Sequence, residues 1–541
     1  MAQSGQLKQL KQLQREAGRS VLQQAGTVKN RWQDPIDVEA ACFVVHQVWI
    51  EADEAGAADQ INPIAGPVQQ LGRYEGACLG VGSIEALRSN LQARLHERGY
   101  ITSGLVVPPQ DLRSGTLGLR LVAGRIESVL VDAGAGTSGF ARPAKNAFSM
   151  QAGDVLNLRD VEQTLENLSR LPSQASRFGV QPGTAEQASV VRIVPADGIQ
   201  RGPAVIGLDS LDGPDYGPLQ ASVQAVVDAP LGLSDQLSMS LATARRQEAG
   251  GDPVQSSAFL FWGVSAGAHL LNLSISRADH SRYFAGGVGR FAERGTDQQV
   301  RKRWQWTAWR SEVGRLQAWF AWSDRRARTR IGDIELIARR RIGSSTELGL
   351  TWWQRHACGV LELEAEGAQV QRLERDLDFQ PALDGLPRQW RLGAQVSCRL
   401  SESGWDLMSN AWLQRVARPV DGSDLLVLGS RCTVRGYRPG DSLIGQGMGV
   451  MRHELLLPAW PLAANAALRG ALALEWGRVL SPVAPAASGG LAKRELAAAA
   501  ATLRWQAAAA SGEPTVALPL TAAASSSNRG ARWSASARVA F

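Results

Sequence analysis

Arg435 is the side chain best placed for chemistry in this chain. It sits in the stretch Arg431 to Leu455, RCTVRGYRPGDSLIGQGMGVMRHEL. Val434, Arg435, Gly436 and Tyr437 fall in a loop rich in Gly, Pro and Asp, and an alternating strand pattern follows them. An Arg embedded in a long loop between strands points to a loop that folds back into something hollow. Reaction chemistry finds no comparable support. The six His residues do not cluster, and no Gly-x-Ser-x-Gly elbow, metal-ligand spacing or phosphate loop stands in the context its chemistry requires. No enzyme, cofactor or metal is expected.

Composition narrows the class without deciding it. At 541 residues the chain exceeds the usual size of one hydrophobic core, so several domains are expected. Its net charge of +7 comes almost wholly from Arg. The arginines alternate with small polar residues instead of forming a nucleic-acid-binding run, so no nucleic acid is expected as partner. The first twenty residues, MAQSGQLKQLKQLQREAGRS, lack the apolar core of a secretory signal, so an exported form would have lost one by processing. Cys42 and Cys78 could close a loop in an oxidising compartment or remain two buried thiols. Cys358, Cys398 and Cys432 are scattered and receive no role.

The elements follow from periodicity. Gln6 to Gln24 carries a partial helical stripe, and residues 25–40 read as a linker. From Ala41 the order is strand (CFVVHQVWIEA), helix from Ser83 towards Tyr100, strand from Gly104, then an alternating strand to Val122. A second unit repeats the plan: a strand from Arg125 to Val131, a helix opening near Leu156, then strands at Phe178–Pro182 and Ala188–Val194. Two tandem α+β modules of one plan make an internal repeat. Beyond about Gly202, period-two alternation takes over, as in Leu237, Met239 and Leu241 against Gln236, Ser238 and Ser240. The last strand closes on Trp533, Ala535, Ala537, Val539 and Phe541 along one side.

Such alternation means an antiparallel sheet with one apolar and one polar face. A soluble sandwich or propeller would show it too. The polar face here carries Arg, Ser, Gln and Asn, as a wet lumen requires. Trp304, Trp306, Trp352, Trp390 and Trp533 lie near strand ends, where girdle aromatics belong. Only helices and closed barrels satisfy backbone groups in lipid, and no apolar helix is available. A transmembrane barrel is expected.

Five stretches then resemble one family: GACLG at Gly76, GYITSGLVVPPQDLRSGTL at Gly99, LNLRDVEQTLENLSRLPS at Leu156, TVRGYRPGDS at Thr433 and ALALEWGRV at Ala471. In that order they look like the outer-membrane transporters of two-partner secretion, of the haemolysin-activator and filamentous-haemagglutinin-transporter type. The resemblance implies a membrane all-β protein, a 16-stranded antiparallel transmembrane β-barrel preceded by an N-terminal helix and two α+β polypeptide-transport-associated (POTRA) domains. On this chain it implies a plug helix at 1–24, a linker at 25–40, POTRA domains at 41–122 and 123–201, and the barrel at 202–541.

By the same resemblance the POTRA domains stand in the periplasm of a Gram-negative cell. They capture the N-terminal secretion domain of a partner exoprotein (an adhesin, haemolysin or contact-dependent toxin), which crosses the outer membrane without ATP. Outer-membrane lipid and, during biogenesis, the barrel assembly machinery are the other implied partners. Within the site, Arg435 of the Val434-Arg435-Gly436-Tyr437 motif is implied to meet an acidic residue of the inner wall. Glu475 matches that position, where the family usually has Asp, and shares its side of the strand with Gly477. A guanidinium can hold a carboxylate through two parallel hydrogen bonds. The bland alternative is an exposed turn arginine and a carboxylate that merely hydrates the lumen. Lys8, Lys11, Arg15 and Arg19 are implied to suit the plug helix to a polar channel, a surface helix or disordered tail being the alternative. Cys42 and Cys78 are implied to be disulfide-bonded, and Phe541 to be the C-terminal barrel signature. An assembly insertase of the same superfamily, a passive porin and a membrane-embedded enzyme are the competing functions; an insertase would carry more POTRA modules.

Overall fold

The computed structural model describes residues 41–52, 74–132, 143–196, 204–210, 219–246, 252–286, 289–374, 388–417, 425–480, 494–521 and 530–541. The expected plug helix, with Lys8, Lys11, Arg15 and Arg19, and the linker at 25–40 lie outside the described residues.

The first module holds β1 (Phe43–Val45), β2 (Gln47–Ala52), β3 (Ala77–Leu79), α1 (Val81–Glu97), β4 (Gly104–Val106) and β5 (Thr116–Val122). β5 is central, with β2 parallel on one side and β4 antiparallel on the other. Leu87, Leu91 and Leu95 of α1 recur at i and i+4, so they form one stripe, which packs on Leu117, Leu119 and Leu121 of β5. The run CFVVHQVWIEA is two strands instead of the one expected. The backbone N–H groups of His46 and Gln47 both donate to the Gly115 carbonyl, at 2.7 and 3.2 Å, and this breaks the run. β1 then turns away to pair with β3 while β2 joins the sheet. Cys42 and Cys78 are disulfide-bonded beside that pair.

The second module repeats the arrangement with β6 (Arg125–Val131), α2 (Leu158–Ser169), β7 (Ser176–Pro182) and β8 (Ala188–Pro195). β8 is central, parallel to β6 and antiparallel to β7. The Asn157 side chain caps α2 by accepting from the Arg159 N–H at 2.9 Å. Every residue from Val161 to Leu168 is buried. An amphipathic helix on a two-layer domain buries one stripe, so full burial means that a second surface covers the other face.

That surface is the barrel. Sixteen antiparallel staves close a sheet that starts at Val205–Ser210 and ends on Ser536–Ala540, the two pairing from Asp209↔Ser536 to Val205↔Ala540. Outward positions on the strand Ala466–Val479 are apolar: Leu472, Leu474 and Trp476 are exposed, while Ala471, Ala473 and Glu475 beside them are buried on the inner side. Trp304, Trp306, Trp309, Trp352 and Trp505 face outward near the rim beside the two N-terminal modules, and Phe541 is exposed at that end. Among the described residues no helix is long and apolar enough to cross a membrane.

Two of the cysteines without an assigned role are in fact bonded. Cys358 lies in the turn after the strand Arg341–His356, and Cys398 ends the strand Arg388–Arg399; a disulfide joins them. The pair was hidden because forty residues separate the two, and barrel register alone brings Gly359 opposite Cys398. Cys432 is a free, exposed thiol.

Candidate functional site

The strands Asp406–Ala417 and Gly447–Leu456 are neighbours in the wall, and the chain between them does not stay outside. It forms a short hairpin, Leu426–Leu428 against Leu443–Gly445, and from there the motif segment descends onto the inner wall. Val434 and Tyr437 are buried there with Leu428, Met448, Val450, Val479, Leu496 and Ala498. The fold-back is thus driven by apolar contact made inside a polar lumen.

Glu475 is the centre of the polar contacts. It is 2 % exposed on the strand Ala466–Val479. Its Oε1 accepts from Arg435 Nε at 2.5 Å, and its Oε2 accepts from the Arg435 backbone N–H at 2.6 Å. The expected pair of parallel guanidinium bonds is not what holds it. The second donor is a main-chain amide, because Arg452, directly opposite Glu475 in the strand register, brings its own Nε within 2.7 Å of the same Oε1. Arg452 also donates through Nη2 to the carbonyls of Arg431 and Thr433, both at 3.1 Å. One carboxylate therefore joins loop side chain, loop backbone and wall.

The rest of the motif closes around this centre. Tyr437 donates its hydroxyl to the Ala497 carbonyl at 2.7 Å and lies 2.8 Å from Thr521 Oγ1. Gly436 has φ +88°, a left-handed conformation that favours glycine, and a Cβ there would lie 3.3 Å from the Ala517 carbonyl oxygen. Gly477 is needed for space: a Cβ would stand 2.4 Å from Leu428 Cδ1 and 3.1 Å from Val434 Cγ2. Arg431 donates to the Ser210 carbonyl at 2.6 Å, tying the loop to the first stave. Neither Arg431 nor Arg452 was singled out from sequence. Parity offered a signal for Arg452, which shares the inner side of its strand with buried Met448 and Val450.

A second polar centre joins α2 to the barrel rim. The Glu166 carboxylate, 3 % exposed, pairs with Arg170 at 3.2 Å, with Arg315 at 2.6 Å and with Arg310. Burial pushes this carboxyl up, but Arg315, Arg310 and Arg170 outweigh it and hold it well below the usual carboxylate range. Asn167 donates to the Gly267 carbonyl at 2.8 Å, and Asn146 to the Ser265 carbonyl at 2.7 Å. Asp160, in the first turn of α2, is raised to about 6 by burial and by the Asp154 charge, against the pull of Arg310.

Residues 188–505 match the model of the haemolysin secretion/activation protein family ShlB/FhaC/HecB. The chain belongs to this family. Residues 43–124 match the ShlB-type POTRA domain and 125–182 a further POTRA domain. Among curated relatives, an outer membrane transporter CdiB-2 of Burkholderia pseudomallei is 28 % identical over 426 residues, 76 % of this chain and 70 % of that protein. The outer membrane transporter CdiB of Escherichia coli is 25 % identical over 495 residues, 89 % of this chain and 80 % of its own. The solved structure of CdiB from Escherichia coli shares the fold with a TM-score of 0.84 at 23 % identity, covering 100 % of this chain and 98 % of that one. The protein is a two-partner secretion transporter of the outer membrane, with its POTRA domains in the periplasm, and it exports a partner exoprotein. This family membership separates it from the assembly insertases of the same superfamily.

Proposed function

We propose that the Val434–Tyr437 segment is the working part of the pore. In this reading, Arg435 and Arg452 clamp Glu475 and so set how far the loop stands into the channel, while the chain before β1 supplies a plug that leaves when cargo arrives. The observation that carries it is the threefold use of one buried carboxylate by loop side chain, loop backbone and wall. A lone charge in so enclosed a place is costly, so the loop and the wall hold each other in register. Lys8, Lys11, Arg15 and Arg19 would suit the plug to a polar lumen. The cargo's N-terminal secretion domain, extended, would be met by strand edges of the POTRA sheets, of which β2 and β7 each have one unpaired among the described residues. Edge pairing asks little of cargo side chains and therefore suits an unfolded passenger. Lipid fills the outer band, and the exposed C-terminal Phe541 would present the closing strand to the assembly machinery.

The deciding experiment expresses the cognate exoprotein with this transporter or with its Glu475→Gln variant. Exoprotein should reach the surface or medium with the first and fall several-fold with the second, at equal barrel insertion. Equal export by both would end the clamp reading.

A further inference from the structure

The strands His269–Gly286, Gly289–Arg310 and Gly314–Ile331 are among the longest in the barrel, and they extend well beyond its apolar band at the end away from the POTRA domains. On the middle strand the outward positions run Trp309, Trp306, Trp304, Lys302 and Val300. That stretch covers about 20–25 Å of barrel axis at a ~3.3 Å rise and a ~40° tilt, which is the height of the apolar band. Above it the outward residues become Gln298, Thr296 and Arg294. On one neighbour Trp322 gives way to Asp324, Arg326, Arg328 and Arg330; on the other, Ile275 gives way to Arg277 and Asp279.

Register brings these side chains together. Arg326 and Arg277 flank Gln298, Arg328 lies opposite Thr296, and Arg330 lies directly opposite Arg294. Like charges facing each other across a ladder destabilise it unless an anion stands between them. The local acids do not supply that anion. Asp279 is held by Arg277 at 2.7 Å, and Asp324 accepts from the Trp322 indole at 3.2 Å. Glu335, opposite Arg330 in the hairpin, accepts from Arg340 at 2.8 Å and lies 4.0 Å from Arg328. Among the described residues no carboxylate comes within ion-pair distance of Arg294, Arg326 or Arg330, Glu335 feeling the Arg330 charge only from further off, and all three arginines are exposed.

We infer that this outward arginine collar is a binding surface for the phosphorylated glycolipid of the outer leaflet. The collar begins at the level where the apolar band ends, so a lipid whose acyl chains lie against Val300, Ile275 and Trp322 carries its headgroup phosphates to Arg294, Arg326 and Arg330. Guanidinium groups match phosphate oxygens as forks. The strands fix the spacing of the Cα atoms in advance, and several guanidinium–phosphate contacts made at once offset the ordering of the exposed side chains. Cargo is the wrong partner for this face, because the wall separates it from the lumen.

The test uses the full chain purified in detergent, with lipid A as probe and retained lipid read by native mass spectrometry. Wild-type transporter should bind bis-phosphorylated lipid A and lose most binding when the phosphates are removed. The triple variant Arg326→Gln, Arg328→Gln, Arg330→Gln should bind about 100-fold more weakly, at roughly fivefold per cation near an anionic lipid surface. Its barrel should still shift on heating in gel electrophoresis. The single variant Arg294→Gln, a milder change, should lose about fivefold. Unchanged binding by both variants, or equal wild-type binding of phosphorylated and dephosphorylated lipid, overturns the inference. So does displacement of the lipid by inorganic phosphate at the same phosphoryl concentration, which would mark a plain anion patch.

Discussion

Glu475 accepts from the Arg435 side chain and backbone amide and is ion-paired with Arg452, and the three contacts are not equivalent. Truncation of Arg435 removes the loop side chain but leaves Arg452 opposite the carboxylate, so the charge stays neutralised and the wall keeps its geometry. Arg435→Ala should therefore lower export while the barrel still inserts and remains heat-modifiable; normal export would deny the loop contact a role. Neutralising the carboxylate is harsher, since Glu475→Gln strands two guanidinium groups near one another, and a broken buried pair costs about 3–5 kcal/mol. Its export should fall further than that of Arg435→Ala, and the ordering of the two variants in a secretion assay checks the geometry. At Gly436 the φ of +88° makes Ala unfavourable by roughly 1 kcal/mol, with the Ala517 carbonyl a further obstacle. Gly436→Ala should raise protease cleavage within residues 425–446 without unfolding the barrel; an unchanged digest would show that the loop tolerates the strain elsewhere.

At the scale of elements, α2 has to satisfy two surfaces at once. Val161 and Leu168 pack on Ile126, Val191 and Ile193 of its own sheet, while Glu166 and Asn167 face the barrel rim. Glu166→Gln leaves Arg170, Arg310 and Arg315 facing one another without their carboxylate, and the second POTRA domain should loosen from the barrel. Cross-linking of Asn146→Cys to Ser265→Cys, efficient in the parent, should drop several-fold in that background. The pH dependence has a definite sign. Glu166 is held low, so its contribution is present above the ordinary carboxylate range near 4.5 and is lost only in strong acid. Asp160, raised to about 6, carries a burial cost that disappears on protonation, so its part of the stability falls as pH rises through 6. Between pH 7.5 and 5 the junction should tighten slightly, read as cross-linking yield; loosening over that range would contradict both assignments. Much of this was legible beforehand: Val161, Leu165 and Leu168 announce the helix, and Leu472, Leu474 and Trp476 announce the lipid side, because each pattern reports a single period. The junction was not legible, since Glu166, Arg310 and Gly267 belong to elements with no sequence relation, and closure of the barrel alone assembles them. The same holds for Cys358 with Cys398, and for Arg452 as a third partner of Glu475.

For the whole molecule, two attachments govern what can move. The second POTRA domain is fastened to the turns at 229–234, 267–268 and 311–313, through Ser234, Gly267 and the arginines that flank the third turn. The loop is fastened to the wall at Glu475, to the first stave through Arg431 and to Thr521 through Tyr437. The barrel wall is a closed ladder whose periplasmic mouth is framed on one side by the second POTRA domain. Passage of a chain then depends on what occupies the lumen, namely the loop and the proposed plug. These two can be separated by conductance. Deleting residues 6–24 should raise the basal ion conductance of the purified protein in planar bilayers several-fold, since it would leave the loop clamp untouched. Arg435→Ala alone should change conductance much less, because Val434 and Tyr437 still hold the segment against Met448, Val450 and Leu496. Adding Arg435→Ala to the deletion should then increase conductance beyond the deletion alone, as the loop becomes the remaining obstruction. Unchanged conductance after the deletion would remove the plug from the mechanism and leave the clamped loop as the pore's resting closure.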